Sequence, residues 1–144
     1  MAFRGRYDYA LDAKNRLMVP PRFRRTFSDG VVVANGLDPC VELWTPDGFE
    51  SFTESFLAGQ HPLSEERRKL IRYFAGSSFD VELDSAGRVT LSSSLLAHAG
   101  MQRDVVIVGA LDHLEAWDRT RFEAHQADLD AEVAGIARAV GHAP

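Results

Sequence analysis

The stretch Leu11-Asp12-Ala13-Lys14-Asn15-Arg16-Leu17 returns 72 residues later as Leu83-Asp84-Ser85-Ala86-Gly87-Arg88-Val89. Both copies read Leu-Asp-x-x-x-Arg-apolar. Alternating apolar and polar residues precede each one, Tyr7-Asp8-Tyr9-Ala10-Leu11 and Phe79-Asp80-Val81-Glu82-Leu83, and Leu17-Met18-Val19 and Val89-Thr90-Leu91 follow. Period-two alternation is the pattern of a half-buried strand. Each copy is therefore expected to be a tight connection between two short strands. An Asp side chain can accept hydrogen bonds from backbone N–H groups two or more residues on, which fixes such a turn. The fourth position must reverse the chain, and it holds Asn15 in one copy and Gly87 in the other, residues suited to positive φ. Asp12, Asn15, Asp84 and Gly87 are thus structural, and the repeat at half the chain length implies a duplicated unit.

The remaining elements fit the same plan twice. Val31 to Ala34 is a buried-strand run, Asn35-Gly36 is a hairpin signal in which both residues accept positive φ, and Val41 to Trp44 pairs back. Thr45-Pro46-Asp47 opens a helix over 47–58 as cap, first-turn proline and first-turn acid. Ser64 with Glu65 and Glu66 opens a second over 65–75. In the second half Ser92 to Ala99 is a short helix ending at Gly100, Val105 to Val108 a strand, and Glu115-Ala116-Trp117 the counterpart of Glu42-Leu43-Trp44. Asp118 caps a long last helix in which Phe122, His125, Leu129, Val133, Ile136 and Val140 recur every three or four residues. The chain divides near residue 76 into repeats 1–76 and 77–144, neither expected to be stable alone. Matching strands of the two could close a β-barrel, which removes exposed edges.

Composition sets outer limits. At 144 residues, 45% apolar and 26% charged, the chain has the makeup of one ordinary globular unit. It has no apolar run of about 18 residues and no apolar leader at its start, so a cytoplasmic setting is expected. Cys40 has no cysteine partner. His61, His98, His113, His125 and His142 lack metal-ligand spacing, and no cofactor is expected. Asp12 and Asp84 are the only carboxylate pair the motif suggests for acid–base work. Nothing supplies a nucleophile or a substrate pocket beside them, so the chain does not read as an enzyme. Trp44 and Trp117 hold equivalent repeat positions, which favours packing over base stacking.

The net charge of −5 hides an asymmetry: residues 1–27 carry seven basic and two acidic groups, residues 112–132 seven acidic and two basic. The first turn adds Lys14 to Arg16 amid Arg4, Arg6, Arg22, Arg24 and Arg25, while the second offers Arg88 among Ser85, Ala86 and Gly87. Arg and Lys suit phosphate oxygens, and Arg can read guanine edges. The first turn should therefore dominate if a polyanion binds. Arg4, Arg6 and Arg24 are phosphate neighbours on this ground alone. The simpler reading is a surface Asp–Arg ion pair across each hairpin.

Phe3-Arg4-Gly5, Leu11-Asp12-Ala13-Lys14-Asn15-Arg16, Val19-Pro20 and Phe23-Arg24 closely resemble the opening of MraZ family proteins, and the second Asp84-to-Arg88 copy agrees. Asn15 stands where that family usually has Gly. The resemblance implies an α+β fold: a β-rich swapped-hairpin barrel of the AbrB/MazE type from two SpoVT-AbrB-like repeats, with peripheral helices and a long C-terminal helix. It implies sequence-specific binding of double-stranded DNA at repeated boxes upstream of the division and cell-wall gene cluster, usually as a transcriptional repressor. It also implies ring-shaped homo-oligomers associated with the nucleoid. DNA contacts carry over to Lys14 and Arg16, with Arg88 as the second-copy equivalent. The alternative is a non-enzymatic scaffold whose acidic C-terminal helix, Asp118 to Val140, binds a protein.

Overall fold

A computed structural model describes residues 2–141; His142 lies outside them. The first half contributes strands β1 (Arg6–Ala10), β2 (Arg16–Met18), β3 (Val31–Asn35) and β4 (Val41–Trp44), then helices α1 (Pro46–Leu57) and α2 (Glu65–Gly76). The second half contributes β5 (Phe79–Val81), β6 (Arg88–Thr90), α3 (Ser93–Ala99), β7 (Asp104–Gly109), β8 (Leu114–Asp118) and α4 (Arg119–Gly141). Six strands form one antiparallel sheet in the order β1-β7-β8-β4-β3-β5, and β2 and β6 form a separate two-stranded ribbon. The hairpins β3–β4 and β7–β8 are internal to their halves. The ladders β1–β7, β3–β5, β4–β8 and β2–β6 each join one half to the other. The halves are interleaved, so neither can satisfy its backbone groups or bury its strands without the other.

The α+β fold from two repeats matches the reading of the sequence, but the barrel does not close by hydrogen bonding. β1 and β5 remain the free edges of the large sheet. The reason is local: after β1 and after β5 the Asp-x-x-x-Arg turn diverts the chain out of the sheet and into the ribbon. The core is sealed by laying the ribbon and α3 against the sheet instead. Leu17 and Val89 face each other in the ribbon register and are both fully buried. With Val19, Phe23, Phe27, Leu91 and Leu95 they pack on the sheet residues Val31, Val33, Val41, Leu43, Val105, Ile107 and Leu114. On the opposite face of the sheet Cys40, Val106, Trp117 and Phe122 form a smaller cluster under α4. Two faces from alternating residues follow from the strand period of two.

The helix starts are those the side chains dictate. Thr45, Ser64 and Ser92 each accept a hydrogen bond from a backbone N–H in the first turn of α1, α2 and α3. Buried Asp118 accepts from the N–H groups of Arg121 and of Gln102, tying the start of α4 to the loop before β7. Gly100 ends α3 in the left-handed conformation. The Asn35-Gly36 turn differs from expectation, because neither residue has positive φ. Gly36 is needed there for space: a Cβ would lie 2.7 Å from Cys40 Sγ. In α1 no residue is fully buried; Phe52 stacks on Trp44 at 4.7 Å and packs on Phe74 of α2 at 5.5 Å, forming an aromatic layer outside the sheet. α4 is anchored only by its first turns, and Leu129, Val133, Ile136 and Val140 stay exposed.

Leu17→Ala should cost about 2–5 kcal/mol, since it empties a fully buried site at the ribbon seam. Urea unfolding would register this as a lower midpoint. An exposed control of the same chemistry, Leu129→Ala, should stay within about 0.5 kcal/mol.

Candidate nucleic-acid interface

Each repeated turn is built around one carboxylate. Asp12 Oδ1 accepts from the backbone N–H groups of Lys14 and Arg16, each at 2.9 Å, and Oδ2 accepts from Arg16 Nε at 2.6 Å. Asp84 repeats the arrangement: Oδ1 accepts from the N–H groups of Ala86 (3.0 Å) and Arg88 (2.9 Å), and Oδ2 from Arg88 Nε (2.9 Å). Asn15 and Gly87 bend the chain at φ 58 and 79. The Arg16 N–H bond, above all, holds the Asp12 carboxyl below its ordinary value of 3.8; burial opposes this, and the guanidinium and the Lys14 N–H reinforce it. Asp84 is lowered by the equivalent groups of its own turn.

The ribbon brings the turns together. Arg16 pairs with Thr90 and Met18 with Arg88, so with Leu17 and Val89 turned into the core both arginines lie on the outward face. The turns also lock reciprocally: Leu91 N–H donates to Asn15 O and Val19 N–H to Gly87 O. Arg88 Nη1 reaches across to Asp12 Oδ2 at 3.6 Å, so one carboxylate oxygen faces both guanidiniums. Arg16 uses Nε for Asp12. Among the described residues no hydrogen bond or ion pair engages its terminal nitrogens, or the side chain of exposed Lys14.

The sequence pattern of the MraZ protein family matches residues 2–71 and residues 74–141. The chain belongs to the MraZ family. It is similar to the transcriptional regulator MraZ of Lachnoclostridium phytofermentans, with 36% identity over 92% of each chain. The same name is carried by the relative in Mycoplasmoides gallisepticum, 36% identical over 89% of this chain and 90% of that one. It is carried also by the relative in Deinococcus radiodurans, 33% identical over 89% of both.

Within this family member the basic residues singled out from sequence do not all gather at the turns. Arg24 does, but at the second turn and not the first. It lies against Gly87, where a Cβ would come within 2.6 Å of its Cζ, and its Nε donates to Val19 O while Nη2 sits on Met18 Sδ. The glycine of the second turn thereby acquires a steric reason. The second turn also gains a cation that linear spacing assigned to the first. Arg6 points elsewhere: it pairs with Asp8 (3.5 Å) and Glu123 (3.9 Å) and covers the Phe122 ring at 5.0 Å, pinning α4 to β1. Arg22 donates to Tyr7 Oη and lies over Phe23. Arg4 and Arg25 are exposed. The Asp12–Arg88 bridge was not legible from the motif, because it depends on the ribbon register.

Two outcomes follow from this geometry. Gly87→Ala should cost about 1–2 kcal/mol from left-handed strain alone, plus displacement of Arg24. In an Arg24→Ala background the cost should shrink, a coupling that a double-mutant cycle by thermal melting would measure. Second, carboxyls with lowered folded-state values stabilise the ionised turns above 3.8, and that contribution drains away as pH falls through the folded-state values. The melting-temperature gap between wild type and Asp12→Asn/Asp84→Asn should therefore be constant near neutrality and close at acid pH.

Proposed function

We propose that this chain is a sequence-specific, non-enzymatic DNA-binding transcription regulator that grips duplex DNA with the two turns of its ribbon. The observation that carries the reading is the pair of outward arginines held by their own turn aspartates, Arg16 with its terminal nitrogens uncommitted and Lys14 beside it. Pinning a guanidinium by Nε lowers the entropy lost when its end engages a phosphate or a guanine edge. Lys14, Arg16 and Arg88 are the contacts, and Arg24 steadies the second turn. Arg4 is free to reach a flanking phosphate. Arg6, committed to α4, contributes least. The names of the relatives support the regulatory role.

One chain offers few cations for tight binding. A ring of identical chains engaging repeated boxes raises effective concentration without new contacts, which suits a cytoplasmic, nucleoid-associated repressor at the boxes upstream of the division and cell-wall gene cluster. Among the described residues no helix is long and apolar enough to cross a membrane. A protein-scaffold role is favoured by a different observation, the exposed apolar stripe Leu129, Val133, Ile136 and Val140 on α4.

Gel shifts on the DNA upstream of the protein's own gene decide between them. Wild type should bind with an affinity that falls steeply with salt, by about 0.9 log units per log unit of salt for every phosphate contact. Arg16→Ala should abolish specific binding while leaving fold and assembly intact, and Arg88→Ala should cost less. Unchanged shifts with Arg16→Ala would remove the site assignment, and no binding at low salt would favour the scaffold.

A further inference from the structure

The two repeats cap the sheet with the same aromatic contacts and then diverge. In the first, Trp44 of β4 meets Phe49 at 5.9 Å and Phe52 at 4.7 Å, both on α1. In the second, Trp117 of β8 meets Phe122 at 6.0 Å and His125 at 4.8 Å, both on α4. Gly59, at φ 82, follows the end of α1, and α2 folds back so that Phe74 closes on Phe52 (5.5 Å) and Phe56 (4.7 Å). α4 instead runs unbroken from Arg119 to Gly141, and among the described residues no element follows it. Leu129 is the repeat counterpart of Phe56 and lacks any equivalent of Phe74. It is 44% exposed, and Val133, Ile136 and Val140 continue the open stripe at 48%, 49% and 71%.

The stripe steps by four, three and four residues, the spacing of a narrow seam that another helix or helix pair covers. Helical rotation places Asp130 and Glu132 on its two sides. Residues 123–141 carry four acidic side chains and one basic, so pairing α4 with α4 of another copy would bring like charges together.

The complementary surface is on the same chain. A groove of about 310 Å³ runs between α1 and α2, lined by Phe49, Phe56, Leu57, Ile71 and Ala75 among others. The first four are only half-buried, and Ala75 is exposed. Beside it α2 carries Arg67, Arg68, Lys69 and Arg72. Lys69 is paired with Glu65, whereas the three arginines form no ion pair among the described residues. Groove and stripe thus match in apolar character and are opposite in charge. An unbroken helix cannot turn its own tail back onto α1, so the two surfaces can meet only between chains.

We propose that the distal part of α4, Leu129 to Val140, docks in the groove between α1 and α2 of a second copy of this chain, its acidic flanks against Arg68 and Arg72. This rests on the reading of the chain as a ring-former and names the contact that builds the ring. An amphipathic helix laid in an apolar groove is a recurrent recognition mode. The contact is head-to-tail, because each copy gives one helix and receives another, and such contacts close into rings when the rotation permits.

The test is light scattering on size-exclusion fractions of the full-length chain. Wild type should assemble. Ile136→Asp on the stripe and Ala75→Glu in the groove alter exposed positions, so far-ultraviolet dichroism should not change. Each should raise the dissociation constant of the assembly about tenfold or more, by placing an unpaired charge in an apolar contact. An equimolar mixture of the two variants should form a one-to-one complex and nothing larger, since one copy keeps an intact groove and the other an intact helix. Arg16→Ala should assemble like wild type, which separates this contact from the DNA surface. Wild-type assembly in Ile136→Asp or in Ala75→Glu would overturn this contact while leaving the ring reading in place. Monomeric wild type at every concentration would overturn both. Two weakened variants that fail to pair when mixed would show that stripe and groove do not meet each other, which also overturns the proposal.

Discussion

The pairing of β2 with β6 is the interaction on which everything else hangs. It is short, yet it buries Leu17 against Val89 and presses both into the core under the large sheet. It also aligns two turns that lie far apart in the chain, so that Asp12 touches both its own arginine and the other turn's. Without the ribbon the sheet would lose the lid on its core and the arginines would be unrelated surface charges. Fold stability and the proposed contact surface are therefore one feature seen from its two faces.

Local features were legible in the chain because they are decided within a few residues. The carboxylate–amide bonds of Asp12 and Asp84, the positive φ of Asn15 and Gly87, and the caps at Thr45, Ser64 and Asp118 follow from chemistry between neighbours. What the chain concealed depends on registers between distant strands. Arg24 reads as part of the first turn by sequence and lies on the second in space. The burial of His113 between two carboxylates was hidden because one of them, Glu42, comes from β4, across a seam that only the repeat pairing creates. Barrel closure failed as an expectation because the turns that announce the duplication also divert the chain out of the sheet.

The charge asymmetry acquires a spatial meaning. The acidic C-terminal helix is held at its start by Arg6 and Arg119 through Asp8 and Glu123, so part of the basic N-terminal region is consumed in fixing it. What remains outward at the ribbon is a small, ordered set of cations. Order rather than number is what this surface offers, and it suits a protein that would gain affinity by presenting the same surface several times.

The interleaving of the halves has a consequence for biosynthesis. While the chain emerges from the ribosome, β1, β2 and β4 wait for partners that are translated only with β7, β6 and β8. Only the β3–β4 hairpin and the two helices after it can form early. In the nascent first half Leu17 lacks Val89, the residue that faces it across the ribbon, until the second repeat has been made. Non-local pairing of this kind slows folding and prolongs exposure of apolar segments. Commitment to the native state thus waits for the second repeat, and the two repeats reach it together.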